Sequence, residues 1–336
     1  MRKIYNSPEL QKKIKQFNST LFDDRTFTKP RELLRRMLMI PDKMNKFDMP
    51  AVLVNAYIRK IRTEYQRILC AGPEEMKVLI AEFDRIIHHK AMTSKFSEAL
   101  VTAMRYLDLR DKEFLVLAED MGLKNCIYCH AQLTIIVVDA YYINADLRRG
   151  VQPGDPRSRR GLMQLDHRYP KSQFPFLCTS FYNLYPTCSY CNNVKSKKYS
   201  DFDLYASQNE LEVFKFSLDP ASLAKYMTNW NAQDLKIQIN PIGQTEKKGK
   251  VYLEMFDIQE IYDTQKDLAE ELIHKRVAYT HPYKKRLVTD FKALFPDPKI
   301  LDRLIIGNYS KVEDVLKRPM AKFVQDIAVD IKLIKR

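Results

Sequence analysis

Two Cys-x-x-Cys pairs are the residues whose spacing indicates chemistry most directly, and they are Cys126 with Cys129 and Cys188 with Cys191. Two intervening residues let both thiolates of one turn reach the same ion, and four thiolates complete the tetrahedral shell of Zn²⁺. Because no coordination position stays open for a substrate, the predicted zinc site is structural. Residues 130–187 separate the pairs, so the ion would close a long loop between them.

Short polar signatures lie within this loop and just after it. Asp166-His167 ends "GLMQLDH", Asn183 lies in "FYNLYPTC", and Asn192 follows the last cysteine in "CSYCNNVKSKK". This order, together with the cysteine pairs, resembles the HNH endonuclease family over about residues 122–200. The resemblance implies a finger made of a β-hairpin and a helix around one metal ion, the hydrolysis of phosphodiester bonds in DNA, and a role in restriction or phage defence.

The resemblance assigns a role to each of these residues, and their chemistry agrees with it. His167, whose ordinary pKa is about 6.5, can accept a proton from water near neutral pH. Asp166 points to the opposite side of the strand and can bind Mg²⁺ or Mn²⁺, and Asn192 offers its side-chain carbonyl to the same ion. By analogy with the family, Asn183 constrains the loop and the orientation of His167. These four residues are the expected catalytic set.

Basic residues around the set are expected to contact phosphates. Downstream these are Lys195, Lys197 and Lys198. Upstream, the Gly-, Pro- and Arg-rich segment "LRRGVQPGDPRSRRG" predicts an exposed loop that carries Arg157, Arg159 and Arg160. A merely soluble insertion is the alternative interpretation of that segment. The family commonly has a Gly pair after Asp-His-x-x-Pro, whereas "KSQFPFLCTSF" in this chain predicts an apolar, stiffer loop.

The charge of the chain favours a polyanionic partner. Its 336 residues include 56 Lys and Arg against 42 Asp and Glu, which gives a formal net charge of +14. Nucleic acid is the simplest such partner, and a basic protein that binds no polyanion is the alternative. No segment resembles a signal peptide or approaches the roughly 20 apolar residues that span a bilayer. The sequence therefore predicts a cytoplasmic protein that binds DNA and no membrane.

The pattern of apolar residues predicts an α+β, predominantly helical fold in three domains. Residues 1–121 are expected to form a helical bundle, 122–200 the HNH nuclease finger with its zinc site, and 201–336 a mixed, mostly helical domain. Within the finger, "LTIIVVDAYYI" is the predicted first strand and "GLMQLDH" its partner. In the last domain, "VYLEMFDI" is predicted to be extended.

Other functions fit parts of the same pattern. A zinc-stabilised module that binds nucleic acid without cleaving it would explain the cysteines and the charge, but not the Asp, His and Asn residues at family positions. A nuclease effector that is activated by a protein partner is a further alternative. The segment "GQTEKKGK" departs from a phosphate-binding loop, so an energy-dependent step would need a partner such as an ATPase. A monomer would nick DNA, whereas a homodimer could cut both strands.

Overall fold

The computed structural model describes residues 2–23, 25–39, 46–146, 150–196, 203–206, 211–242 and 246–335. Within these ranges the fold is α+β and mostly helical, and its strands form four two-stranded sheets. None of the helices in the described ranges combines the length and the apolar character that a bilayer-spanning helix needs.

Short helices fill the N-terminal third, and a proline stands at the start of several of them. The elements are β1 (Ile4–Tyr5), α1 (Pro8–Ser19), α2 (Pro30–Arg36), α3 (Ala51–Thr63), α4 (Tyr65–Cys70), α5 (Pro73–Asp84), α6 (Ser94–Ala103), α7 (Tyr106–Asp108) and α8 (Phe114–Asp120). Proline suits a first helical turn because its missing N–H would have no partner there. Gly122, at φ +67, follows the end of α8, where glycine adopts the left-handed conformation that commonly ends a helix.

The N-terminal helices pack on the loop that the sequence places after Asp166-His167. Phe83 stacks on Phe176 with ring centroids 3.9 Å apart, and Tyr57 meets the same ring edge-on at 6.2 Å. Buried apolar residues from all three predicted domains form one cluster in the described part of the chain. The domain boundaries at residues 121 and 200 stay predictions, since this packing crosses both of them.

The strand pairing in the centre differs from the prediction. Strand β2 (Ile135–Tyr141) pairs antiparallel with β3 (Pro156–Leu162), which lies within the arginine-rich segment and its apolar end. The expectation of a loop there is therefore wrong for residues 156–161. Of "GLMQLDH", only Gly161 and Leu162 pair with β2 as expected, and residues 164–167 pair elsewhere. Arginines can occupy this strand because the hairpin lies at the surface: β2 is mostly half-buried, β3 is mostly exposed, and no residue of either strand is fully buried.

The Asp-His signature instead belongs to a second, buried hairpin. Strand β4 (Gln164–His167) pairs antiparallel with β5 (Leu184–Thr187), with Asp166 opposite Tyr185 and His167 opposite Leu184. Helix α9 (Ser189–Lys195) follows β5 directly. The order strand, loop, strand, helix is thus present, but it begins at β4 rather than at β2.

The C-terminal third combines a small hairpin with helices. Its elements are β6 (Tyr205–Ala206), β7 (Phe214–Leu218), α10 (Pro220–Asn229), β8 (Ile237–Pro241), α11 (Glu246–Met255), α12 (Ile258–Asp263), α13 (Lys266–Ala278), α14 (His281–Asp290), α15 (Pro298–Ile306) and α16 (Ala321–Asp330). The prediction of an extended "VYLEMFDI" is wrong, since most of it belongs to α11. Its apolar residues Tyr252, in α11, and Phe256, in the turn that follows it, are four apart, and both are buried in the core.

Candidate metal centre and catalytic cleft

The four cysteines of the two pairs come together in one buried cluster. The sulfur atoms of Cys126, Cys129, Cys188 and Cys191 all lie within 4.8 Å of one another. Sulfurs about 3.8 Å apart would surround a tetrahedral zinc ion, because the Zn–S bond is about 2.3 Å long. The cluster can therefore hold a metal ion such as zinc. All four residues are buried, so an ion there would be shielded from substrate.

Elements from distant parts of the sequence hold the first cysteine pair. The hydroxyl of Tyr262 donates to the carbonyl oxygen of Cys129 at 2.8 Å. The backbone N–H of Met320 donates to the carbonyl oxygen of His130, also at 2.8 Å. The second pair lies at the start of α9, where the thiol sulfur of Cys188 accepts the backbone N–H of Cys191 at 3.5 Å. An ion in the cluster would consequently link the C-terminal helices to the β4–β5 hairpin.

A cleft of about 530 Å³ lies at the exposed end of this hairpin. Its lining includes Asp166, His167 and Asn192, three of the four residues that the sequence predicts to be catalytic. Asn183 does not line the cleft and is fully buried. The remaining lining comes from α7 and the helical segment after it, from the end of β3 and the start of β4, from the loop after β4 and from Ser196 after α9.

His167 is held as a neutral imidazole. It is 6% exposed, and the centroid of its ring lies 4.7 Å from the centroid of the Tyr106 ring. Nε2 lies 3.0 Å from the carbonyl oxygen of Cys178, which can only accept, so Nε2 carries the proton and Nδ1 is the basic nitrogen. Burial lowers the pKa of His167 to about 3, and the positive charges of Lys171 and Lys195 act in the same direction. Nδ1 is therefore unprotonated at neutral pH.

The carboxylate of Asp166 faces two buried side chains. The hydroxyl of Tyr128 donates to Oδ2 at 2.7 Å, and the ammonium of Lys195 lies 2.9 Å from Oδ2 and 3.1 Å from Oδ1. Burial raises the pKa of Asp166 and lowers that of Lys195, while their mutual attraction opposes both shifts. Tyr128 lies between Cys126 and Cys129, so the cysteine cluster directly positions this carboxylate.

The predicted phosphate contact of Lys195 is not what the structure shows. Its side chain is fully buried, and Nζ donates to the carbonyl oxygen of His167 at 2.8 Å in addition to the Asp166 carboxylate. The apolar face of the short helix α9 turns inward, and position 195 lies on the same side as Cys191, one turn earlier. Lys197 and Lys198, the neighbouring predicted contacts, lie outside the described residues.

Asn183 clamps the loop between β4 and β5. Its Oδ1 accepts the backbone N–H of Tyr169 at 2.8 Å, and its Nδ2 donates to the carbonyl oxygens of Tyr169 at 3.2 Å and Leu177 at 3.0 Å. Leu177 precedes Cys178, whose carbonyl oxygen accepts from His167. The position of Asn183 is thus compatible with the loop-constraining role that the resemblance implies.

Replacing Asn183 by alanine should lower the free energy of unfolding by about 2–4 kcal/mol, because it leaves buried backbone groups of Tyr169 and Leu177 without partners. Urea denaturation followed by circular dichroism measures this change. Asn193→Ala is the matched control, since Asn193 is an exposed asparagine on α9. Equal urea midpoints for the two variants would show that the hydrogen bonds of Asn183 do not stabilise the loop.

Asn192 presents an amide oxygen at the cleft. Its Nδ2 donates to Oε1 of Gln164 at 2.7 Å, which fixes the orientation of the amide and leaves Oδ1 as the available acceptor. Among the described residues, Oδ1 of Asn192 has no hydrogen-bond donor. A hard divalent cation favours an oxygen of this kind.

The arginines of β3 line a second groove of about 260 Å³ that continues from the cleft. Arg159 pairs with Glu119 at 2.6 Å, and the side chain of Arg160 is 65% exposed although it lies 3.4 Å from Asp139. Arg157 is exposed further along the strand. The two grooves share Arg110, Asp111, Gly161, Met163 and Leu165. The groove that extends away from His167 is therefore lined by three arginines together with Asp111 and Asp139.

Sequence reasoning missed several residues that position the cleft. Tyr106 contacts His167 through its ring and donates its hydroxyl to the carbonyl oxygen of Leu165 at 3.3 Å, yet it lies far upstream in the sequence. Cys178 contributes a backbone oxygen, which any residue type would supply. Only Tyr128 carried a usable signal, because its place between two cysteines ties it to the metal cluster.

Comparison with protein-family models, curated proteins and solved structures found no match to this chain. The resemblance to HNH endonucleases stays a prediction, and function must be inferred from the side chains around the cleft and the cysteine cluster.

Proposed function

We propose that the protein is a metal-dependent HNH endonuclease that hydrolyses phosphodiester bonds in DNA and holds a structural zinc ion in its cysteine cluster. The observation that carries the proposal is the common cleft of Asp166, His167 and Asn192. It combines one neutral imidazole with two side chains that offer oxygen ligands. Hydrolysis of a phosphodiester needs a base for water and compensation of charge at the phosphate.

His167 is the general base of the proposed reaction. Its Nε2 proton is committed to the Cys178 carbonyl, so the lone pair of Nδ1 can take a proton from water. The hydrogen bond and the contact with Tyr106 keep the ring from rotating. Burial lowers the pKa of His167 to about 3, so the imidazole is unprotonated throughout the neutral range, but the same shift makes it a weaker base than a free imidazole.

Asp166 and Asn192 would hold the divalent cation. Two oxygen ligands suit Mg²⁺ or Mn²⁺, which keep several coordination positions for water and phosphate. When bound, such an ion offsets negative charge on the phosphoryl oxygens and on the departing oxygen. Lys195 donates to the same carboxylate from the buried side and favours its ionised form, which opposes the rise in the pKa of Asp166 that burial causes.

Charge supports DNA as the substrate. The chain carries a net charge of +14, and Arg110, Arg159 and Arg160 line the groove that leads away from His167, each beside a carboxylate that a phosphate would have to replace as its partner. Cations along a groove attract a phosphate backbone without regard to base sequence. A polyanion bound along β3 would reach the imidazole at the end of the groove.

Wild-type protein should nick supercoiled plasmid DNA when Mg²⁺ or Mn²⁺ is added and should not do so without a divalent ion. Asn192→Ala should lower the initial nicking rate at least about tenfold, as expected for a change at a metal site. Asn193→Ala, one residue further along α9, should retain the wild-type rate. Gel electrophoresis over a metal titration measures all three proteins.

Tight DNA binding without cleavage by any of the tested ions would contradict the nuclease and favour the zinc-stabilised binding module. Equal rates for the Asn192 and Asn193 variants would leave a nuclease whose metal is held differently.

A further inference from the structure

Nearly every cation that lines the cleft or the adjoining groove has an acidic partner. The pairs are Arg110 with Asp111 at 2.6 Å, Arg159 with Glu119 at 2.6 Å and Arg160 with Asp139 at 3.4 Å. Lys171 lines the same cleft, and no carboxylate of the described residues pairs with its ammonium. Its charge is thus available to an anion that enters the cleft.

The ammonium of Lys171 and the proposed base contact the same aromatic ring. Nζ is 4.6 Å from the centroid of the Tyr106 ring, and the same ring lies 4.7 Å from the imidazole of His167. Lys171 and His167 therefore both contact the ring of Tyr106, which lines the cleft. The charge of Lys171 also contributes to the lowered pKa of His167, which agrees with their proximity.

The backbone around Lys171 is well anchored. The N–H groups of Gln173 and Phe174 both donate to the carbonyl oxygen of Pro170, at 2.9 and 2.8 Å, and close a tight turn. Phe174 is buried and stacks on His89 with centroids 4.9 Å apart. A lysine on such a turn can place its ammonium in the cleft with a smaller loss of backbone entropy than one on a free loop.

We propose that Lys171, supported by Tyr106, forms a phosphate-binding subsite that contacts a non-bridging oxygen of the phosphate facing His167. This proposal rests on the proposed nuclease function and adds a substrate-binding residue to it. A lysine ammonium suits this task because it is a compact point charge that phosphate oxygens accept from several directions. Positive charge beside the phosphate also stabilises the negative charge that develops during hydrolysis.

Three variants test the subsite: Lys171→Met, Lys171→Arg and, as a matched control, Lys12→Met on α1. Lys12 is exposed, lies outside the cleft and has no ion pair among the described residues. Nicking is measured on supercoiled plasmid with Mg²⁺. Binding is measured without divalent ion, by fluorescence anisotropy of a labelled DNA duplex over a series of salt concentrations.

Lys171→Met should lower the nicking rate at least about tenfold. It should also reduce the slope of log affinity against log salt by about 0.9, the loss expected for one phosphate contact. Lys171→Arg should keep the salt slope and recover most of the rate because it keeps the charge. Lys12→Met should match the wild type in the cleavage assay.

If Lys171→Met matches Lys12→Met in both assays while His167→Gln is inactive, the nuclease stands and the subsite is overturned. If the wild type binds DNA but never cleaves it, the nuclease fails, and the salt slope alone decides whether Lys171 contacts phosphate. A wild type that neither binds nor cleaves DNA overturns both proposals.

Discussion

Replacing Cys188 by serine is expected to remove the bound metal and to leave the protein insoluble or melting at a much lower temperature. The wild type should contain one zinc ion per chain. Binding of structural zinc contributes roughly 10–16 kcal/mol to the folding of zinc-finger peptides. If the variant loses its ion, the free energy lost should therefore be comparable to the total stability of many domains. Mass spectrometry of metals and thermal unfolding followed by circular dichroism measure both effects.

The expected effect is large because the cluster joins parts of the chain that are distant in sequence. Cys126 and Cys129 contact the C-terminal region through Tyr262 and the neighbouring backbone, whereas Cys188 begins α9. Without an ion, four buried thiols would face one another with weak hydrogen bonds only. Tyr128 would then hold Asp166 less firmly, so the damage should reach the cleft.

Cys70→Ser is the matched control, since Cys70 is half-buried and lies outside the cluster. It should retain the zinc and most of the stability. Because Cys188→Ser can fail to fold at all, a second measurement uses the wild type. Adding a strong chelator should release zinc and lower the melting temperature together. Wild-type protein that contains no metal, or whose melting temperature does not change when the chelator is added, would contradict a structural zinc site.

Replacing His167 by glutamine should lower the rate of plasmid nicking by about 10²- to 10⁴-fold, the usual contribution of a general base. Glutamine can still donate its amide proton to the carbonyl oxygen of Cys178, but it cannot take a proton from water. The variant should therefore keep its fold and its DNA affinity while it loses the chemical step. Single-turnover nicking and anisotropy measure the two properties separately.

His274→Gln serves as the control for this substitution. His274 is an exposed histidine on α13 that stacks on Trp230 with centroids 5.2 Å apart, outside the cleft. It should nick at the wild-type rate. Equal activity of the His167 and His274 variants would show that the imidazole of His167 is not the base.

Local patterns predicted much of the helical structure. Prolines mark the first turns of α1, α2 and α5, because φ and the missing N–H of proline depend on the residue itself. Pairing between strands depends on which surfaces are buried. The arginine-rich segment became β3 because β2 lies at the surface, whereas the apolar Leu165 required β4 to pair inside the protein.

The candidate site shows the same division. The spacing within each cysteine pair and the adjacency of Asp166 and His167 are local properties, so the sequence could predict that these residues act together. The burial of Lys195 and the ring contact of Tyr106 could not be predicted, because each depends on how separate elements pack.

The sequence by itself thus determined which side chains are available to bind a metal and to accept a proton. Tertiary structure decided that Nε2 of His167 meets the Cys178 carbonyl, that Lys195 faces inward and that Lys171 lines the cleft with no acidic partner in the described part of the chain. The physical reason is that hydrogen bonds and burial join residues through space, whereas a sequence pattern specifies only neighbours along the chain.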